Sequence, residues 1–268
     1  MNNKVIIITG GSSGIGFALA EKFGKEGSKV VITGRDNIKL FQAADKLRIK
    51  GIKVVSVVAD SSLEEDNARV IYTAIKEFGK VDVLINNAGI TMRALFEESE
   101  VDVLKKVMDI NFYGTVYATK YALPEIIKNQ GSIVGVSSIA GMVGLPGRTG
   151  YSASKFAMQG FLESIRIENL KKGIHVLLAC PGFTTSNIRK MALGADGNVK
   201  GESSMDEDKM MTAEEVADRI YDAVVKRKRE LILTRQGKLT VLLKKFLPGV
   251  VDKIVYNHFI KEKDSPLK

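Results

Sequence analysis

Tyr151 and Lys155 stand four residues apart in the segment YSASK. A phenol with an ordinary pKa of about 10 is a poor acid–base group near neutrality, and a neighbouring ammonium favours its ionised form. Residues at i and i+4 share one face of a helix, so the spacing predicts a Tyr–Lys pair suited to proton transfer. Ser138 lies thirteen residues before Tyr151. Its hydroxyl can hold a substrate oxygen beside the phenol. A second chemical feature is TGGSSGIG, Thr9 to Gly16. Gly10, Gly14 and Gly16 let the backbone turn tightly and approach a ligand. A helix starting there offers free N–H groups and a positive dipole end to a diphosphate. The whole turn, with Ser12, Ser13 and Ile15, is therefore a candidate cofactor cradle. A third feature is the end of the next apolar run, ITGRD. Dinucleotide folds often place an acid there for the ribose 2′-OH. Here the place falls to Gly34, followed by Arg35, which suits a 2′-phosphate and predicts NADP(H) over NAD(H). Asp36 acting as the missing acid is the open alternative.

These residues need a frame that brings distant segments together. Seven apolar runs serve as strands: KVIIIT (4–9), KVVIT (29–33), IKVVSVV (52–58), VDVLIN (81–86), GSIVGVSS (131–138), IHVLLAC (174–180) and ELILT (230–234). Continuous apolar runs suit parallel strands buried on both faces. Helix-period segments lie between them, among them Phe17, Ala20 and Phe23, and Val216, Ile220, Ala223 and Val224. The latter helix opens on Thr212 with Glu215 three residues on, a capping-box pattern. Strand and helix in alternation predict an α/β doubly wound parallel sheet with helices on both faces.

Two stretches break the rhythm. Residues 184–211 are rich in Gly, Ser, Asn and Asp, and carry Met191, Met205, Met210 and Met211. A loop of that length with adaptable apolar residues reads as a substrate lid. The expected organisation is a catalytic domain over 1–234, lid included, and a C-terminal extension over 235–268. In the extension Leu239, Leu242, Leu243, Phe246 and Leu247 form one helical face, Pro248-Gly249 breaks it, and Val251, Ile254, Val255 and Phe259 form a second. Lys244, Lys245, Lys253, Lys261 and Lys263 supply a basic component. Such a hairpin suits a membrane interface. Packing against the lid or a second subunit, and plain completion of the fold, are alternatives.

The chain of 268 residues carries a net charge of +9, and from Lys226 to Lys268 there are twelve Lys or Arg against four Asp or Glu. The body is thus close to neutral, which argues against a nucleic-acid groove. KRKR at 226–229 reads either as the basic end of a helix or as a lipid contact. One cysteine, Cys180, excludes an intrachain disulfide, and Cys180, His175 and His258 are too few soft ligands to suggest a metal. His175 and Cys180 read as structural. No apolar run is long enough for a spanning helix and no leader is evident, so a cytoplasmic protein, peripheral to a membrane surface at most, is expected.

Taken together, TGGSSGIG, NNAG at 86–89, Asn111 in MDINFYG, Ser138, YSASK and Pro181-Gly182 resemble the single-domain short-chain dehydrogenase/reductases, in order and spacing, over about residues 4–234. The resemblance implies a Rossmann fold and hydride transfer between NAD(P) and a ketone or secondary alcohol. It implies Tyr151 as proton donor, with Lys155 lowering its pKa and binding the nicotinamide ribose. Ser138 would orient the carbonyl, and Asn111 would help hold a water that relays protons. Asn87, Ala88 and Gly89 would pack beside the adenosine half, Asp60 would touch the adenine, and Pro181, Gly182 and Thr184 would lie along the nicotinamide. Ser13 stands where some NADPH-using members carry a basic residue, so the cofactor preference rests on Arg35. The tyrosines Tyr113, Tyr117 and Tyr121 fall on a helix that often forms the dimer surface in this family, which implies a homodimer or homotetramer. The start of the lid, PGFTTSNI, and the run KMMTAEEVA resemble the dehydrogenase/reductase member 7B-like branch and, more loosely, hydroxysteroid dehydrogenases. That likeness implies a lipophilic carbonyl or alcohol substrate. A 3-oxoacyl-carrier-protein reductase is the alternative enzyme, and a cofactor-binding regulator without turnover is the alternative from another class.

Overall fold

The computed structural model describes residues 1–185, 188–199, 201, 210–262 and 265–268. Seven parallel strands form one sheet in the order β3-β2-β1-β4-β5-β6-β7. They are β1 (Val5–Ile8), β2 (Lys29–Gly34), β3 (Val54–Val58), β4 (Val83–Asn86), β5 (Ser132–Val136), β6 (His175–Cys180) and β7 (Glu230–Ile232). All seven sequence runs become strands, and the expected doubly wound sheet is the fold.

The β-branched, apolar character of β1, β4 and β5 follows from burial on both faces. One face is covered by α1 (Gly14–Lys25), α2 (Asn37–Ile49) and α7 (Ala213–Val225), around a core that includes Phe23, Leu40, Leu47 and Ile220. The other is covered by α3 (Glu64–Phe78), α5 (Gly114–Lys128) and α6 (Thr149–Glu168), around Ile71, Ile126, Met158 and Leu162. The capping box at α7 forms as expected: Glu215 N donates to Thr212 Oγ1 at 3.1 Å, and Thr212 N donates to the Glu215 carboxylate at 2.9 Å.

The strand order reverses between β1 and β4, the crevice where open α/β sheets bind ligands. β1 runs into Thr9-Gly10 and β4 into Asn87-Ala88. A third core cluster lies beside this crevice and joins Met92, Val103, Val107, Ala140, Leu193 and Tyr151. Helix α4 (Val101–Met108) contributes to it and continues as a π-helical turn over Asp109–Tyr113 into α5.

Two further helices, α8 (Arg235–Phe246) and α9 (Pro248–Phe259), follow β7. Pro248 takes the first position of α9, where its missing N–H costs nothing. The KRKR segment follows α7 rather than closing it. Arg227 adopts φ of 48° and donates to the carbonyls of Gln130 and Gly173, so this cation fastens two turns.

Candidate active site

Tyr151 and Lys155 lie in the first two turns of α6, and both are buried. The Lys155 ammonium donates to the Val136 carbonyl at 2.9 Å, at the end of β5. It sits 5.8 Å from the centre of the Tyr151 ring. Burial pulls its pKa down to about 8. Burial also raises the pKa of the Tyr151 phenol, while the Ser138 hydroxyl and the Arg148 guanidinium act in the opposite sense. Lys155, expected as the cation beside the phenol, stands over its ring, and the Arg148 guanidinium adds a second positive charge that favours the ionised form. That residue went unremarked in the sequence. The signal was its place in RTGYSASK, three residues before Tyr151, a separation that brings side chains together on a helix.

Ser138 sits just past β5 in extended backbone, and its Oγ accepts from Ala140 N at 3.1 Å. This cap fixes the hydroxyl near the phenol. Asn111 is fully buried in the π-helical turn. Its amide accepts from Ile90 N at 2.8 Å and donates to Ile90 O and Ser154 Oγ, each at 2.9 Å. π turns are frequent at functional sites, and this one aims Asn111 at the NNAG turn. A methyl group on Gly89 would stand 3.1 Å from Asn111 Oδ1 and 3.5 Å from Lys155 Nζ. Thus Gly89, Asn111, Lys155, Tyr151 and Ser138 lie together.

The glycine turn is tied to β4. Thr9 Oγ1 accepts from the backbone N–H groups of Asn87 and Ala88, both at 3.0 Å. Asn87 Nδ2 returns to the carbonyls of Thr9 and Gly10. Gly10 adopts φ of +66°, which favours glycine. Gly16 has no room for a side chain, since a Cβ there would lie 2.1 Å from the Gly10 carbonyl oxygen. Ser13, the residue before α1, makes no side-chain cap bond to the first turn. The turn Gly10–Gly16, with Ser12, Ser13 and Ile15, thereby presents the first N–H groups of α1 to the crevice. This is a fit for a dinucleotide diphosphate.

At the adenosine end, Arg35 is about half exposed, and its guanidinium lies 3.9 Å from Asp60. Asp60 accepts from Ser62 N and Ser62 Oγ. Arg35, Asp60, Ser62, Lys105 and Lys106 border a cleft of about 350 Å³. Asp36 caps α2: it accepts from Lys39 N at 3.0 Å and pairs with Lys39 Nζ at 3.2 Å. Asp36 is thus engaged by its own helix.

Pro181, Gly182 and Thr184 follow β6 at the other side of the crevice. The Pro181 carbonyl accepts from Ile139 N at 3.2 Å, and Thr184 Oγ1 donates to the Gly182 carbonyl at 3.2 Å. Gly182 packs against Thr234, where a Cβ would come within 2.8 Å of the threonine methyl. Thr234 holds φ of 70° and caps α8 by accepting from Gly237 N. His175 and Cys180 are buried in β6, away from these roles: His175 bonds Ser132 Oγ and the Lys228 carbonyl, and burial pushes the Cys180 thiol up to about 12.

The described part of the 184–211 segment is strapped to the chain after β4. Leu193 N donates to Thr91 O, Arg93 N to Leu193 O, and Glu100 N to Ala195 O. Leu193 packs with Tyr151. Of the four methionines expected there, Met191 is exposed, Met210 meets Arg189, Met211 packs on the first core, and Met205 lies outside the described residues. The tail also reaches the site. His258 stacks on Phe183 at 6.3 Å, and Glu262 pairs with Arg93 at 2.7 Å. Lys244, expected on the basic face, instead donates to Met142 O at 2.6 Å beside the ring of Phe156.

The sequence profile of short chain dehydrogenases matches residues 4–195. Dehydrogenase/reductase SDR family member 7B of Mus musculus is 35% identical over 99% of this chain and 84% of its own length. The 11-beta-hydroxysteroid dehydrogenase A of Arachis hypogaea is 34% identical over 93% of this chain and 73% of its own. A short chain dehydrogenase/reductase from Burkholderia phymatum, solved in complex with NAD, superposes with a TM-score of 0.84 at 25% identity, covering 93% of this chain and 95% of that one.

Proposed function

As this chain belongs to the short-chain dehydrogenase/reductase family, whose members act on the CH–OH/C=O couple with NAD(P), we propose that it reduces a ketone of an apolar small molecule, or oxidises the alcohol, with NADP(H) preferred. The observation that carries this reading is the convergence of Tyr151, Lys155, Ser138 and Asn111 on the Gly89 turn. The nicotinamide cofactor supplies the hydride. The residues of the chain do the rest. Ser138, held by its bond to Ala140 N, orients the carbonyl oxygen. Tyr151 delivers a proton where alkoxide charge develops. Lys155 holds the cofactor ribose and restores the phenol's proton along a path in which Asn111 takes part. Gly10, Ser12, Ser13, Gly14, Ile15 and Gly16 cradle the diphosphate. Asn87, Ala88 and Asp60 receive the adenosine half, and Pro181, Gly182 and Thr184 line the nicotinamide.

The preference for NADP(H) is supported by Arg35, which borders the cleft at the adenosine end, and by Asp36, whose carboxylate is occupied as a helix cap. The lipophilic substrate is supported by the apolar cluster at Tyr151, with Leu193 as part of the lid. Exposed Tyr113 on the π turn and Phe156 and Ile167 on α6 support a homodimer or homotetramer. The exposed apolar side chains of α8 and α9 support a peripheral contact with an anionic membrane surface. Among the described residues no helix is long and apolar enough to cross a membrane.

The test is NADPH oxidation by the purified protein across carbonyls graded from small diketones to steroid and long-chain ketones, with 3-oxoacyl thioesters included. Rates that rise with apolar size are expected. Rates confined to the thioesters would replace this reading with a 3-oxoacyl-carrier-protein reductase.

A further inference from the structure

Arg148 sits at the mouth of α6, where its charge and that of Tyr151 act on each other. It is 9% exposed, and among the described residues its guanidinium has no hydrogen bond or ion pair; its contact is the ring of Phe259, 5.9 Å away. A guanidinium does not shed its proton to escape burial. It carries five N–H donors in a flat fork that matches a carboxylate or phosphate edge. Burial without such a partner is costly.

The surroundings add positive charge. Arg93 and Arg189 are close enough for their charges to act on Arg148; Arg189 is buried and Arg93 half-buried. Among the described residues Glu262 of the tail is an acid acting on the group, and its carboxylate is engaged by Arg93 at 2.7 Å. The other oxygen of Glu262 is buried with no hydrogen bond among the described residues. The pair is therefore not closed around Arg148. The walls of this region are built from elements far apart in sequence: Pro266 of the tail lies against Gly147, and Ala94 N donates to the Gly147 carbonyl at 3.0 Å. Three strands of chain thus meet around a cation next to the proton donor.

Resting on the ketone-reductase reading above, we propose that the substrate carries an anionic group, a carboxylate or a phosphate, which Arg148 binds while the carbonyl lies at Tyr151 and Ser138. The apolar body of the substrate would extend along the lid side of Tyr151, where Leu193 belongs to the same apolar cluster. Arg148 is a specificity-determining residue in this assignment: it selects an amphiphilic ketone over a neutral one of the same size. A neutral ketone would leave the guanidinium buried and unmatched, and discrimination against a substrate that lacks the recognised polar group is the strong kind.

Three ketones with one carbon skeleton test this on the full chain with NADPH: 2-octanone, 7-oxooctanoate and 7-oxooctyl phosphate. The wild-type kcat/KM is expected to be at least tenfold higher for an anionic member than for 2-octanone, and the better of the two anions identifies carboxylate or phosphate as the source. Arg148→Met is expected to bring the anionic-to-neutral ratio close to one, and Arg148→Lys to restore part of it. A wild-type preference for 2-octanone, or an equal loss on all three ketones in Arg148→Met, would overturn the assignment. Inorganic phosphate supplies a readout free of turnover. It is expected to raise the Tm of the wild type more than that of Arg148→Met. Equal shifts would count against the anion site. A larger wild-type shift with no ketone turned over would sink the reductase reading and leave the anion site standing.

Discussion

Lys155 is a buried ammonium, and its environment has consequences at the scale of one side chain. Burial draws its pKa from the ordinary 10.5 to about 8. Between those values the unfolded chain holds more protons at this site than the folded one, so stability rises with pH across that window. Below pH 8 both states are protonated and the full cost of the buried charge remains. Denaturant unfolding at pH 7.5 and 9.5 should therefore show the wild type gaining up to about 2 kcal/mol relative to Lys155→Met. Parallel changes in the two proteins would contradict a depressed pKa. Tyr151→Phe removes the hydroxyl proposed to donate the proton and little else, since Phe fills the same space. A fall in kcat of roughly 10²–10⁴-fold, with cofactor affinity unchanged, is the expected result. Retained turnover would assign the proton to another group. Arg35→Ala should shrink the NADPH-over-NADH affinity ratio by about tenfold, the scale of one charged hydrogen bond. An unchanged ratio, measured by fluorescence titration, would remove Arg35 from the cofactor site.

At the scale of elements, much of the frame was legible because each signal was local. Strands such as Val5–Ile8 announce themselves as β-branched runs, the glycine turn and NNAG sit at strand ends where a doubly wound sheet must carry its site, and YSASK opens α6. The capping box of α7 was equally local. Thr212→Ala should cost about 1 kcal/mol, since α7 packs on α1 and cannot fray freely. A Tm lower by about 2–4 °C is the expected reading in a thermal melt; an unchanged Tm would mean that packing alone holds the helix. What the sequence hid were pairings across long separations. Arg93 and Glu262 are 169 residues apart. Nothing in either neighbourhood marks the pair, and a lone Arg such as Arg148 before a helix reads as a solvated charge until a tail covers it. Lys244 was hidden for a related reason: a basic residue on an amphipathic helix reads as solvent-facing, yet its ammonium turns inward to the Met142 carbonyl. The 184–211 segment was legible as a break in rhythm, while the place of Leu193 in one cluster with Tyr151 required the bridge to the chain after β4.

At the scale of the whole molecule, the tail has two faces with different duties. Its inner side, at Val251 and Phe259, is buried, and the residues just beyond reach Arg93 and Gly147. Its outer side leaves Leu239, Leu242, Phe246, Leu247, Val250 and Ile254 about half exposed or more. Arg235, Lys238, Lys245 and Lys253 are exposed alongside them. Apolar side chains ringed by cations match an anionic bilayer surface, where each basic residue adds about 1 kcal/mol of attraction and each apolar side chain that leaves water adds more. Removing the tail would be a poor test, because its inner face packs on Arg148 and the residues beyond it on Gly147. Leu242→Ser with Phe246→Ser changes only exposed positions. The wild type should sediment with phosphatidylserine-containing vesicles, less so as salt rises from 50 to 300 mM, as roughly expected from screening. The double variant should bind at least about fivefold more weakly, by the same area argument, with its turnover of soluble ketones intact. Equal vesicle binding would detach this face from the membrane. A loss of dimers by light scattering in the double variant would give the face to a second copy of the chain. The two outcomes differ in what they say about substrate entry: a membrane-facing tail brings a lipophilic ketone to the lid from the bilayer, and a subunit-facing one leaves it to arrive through water.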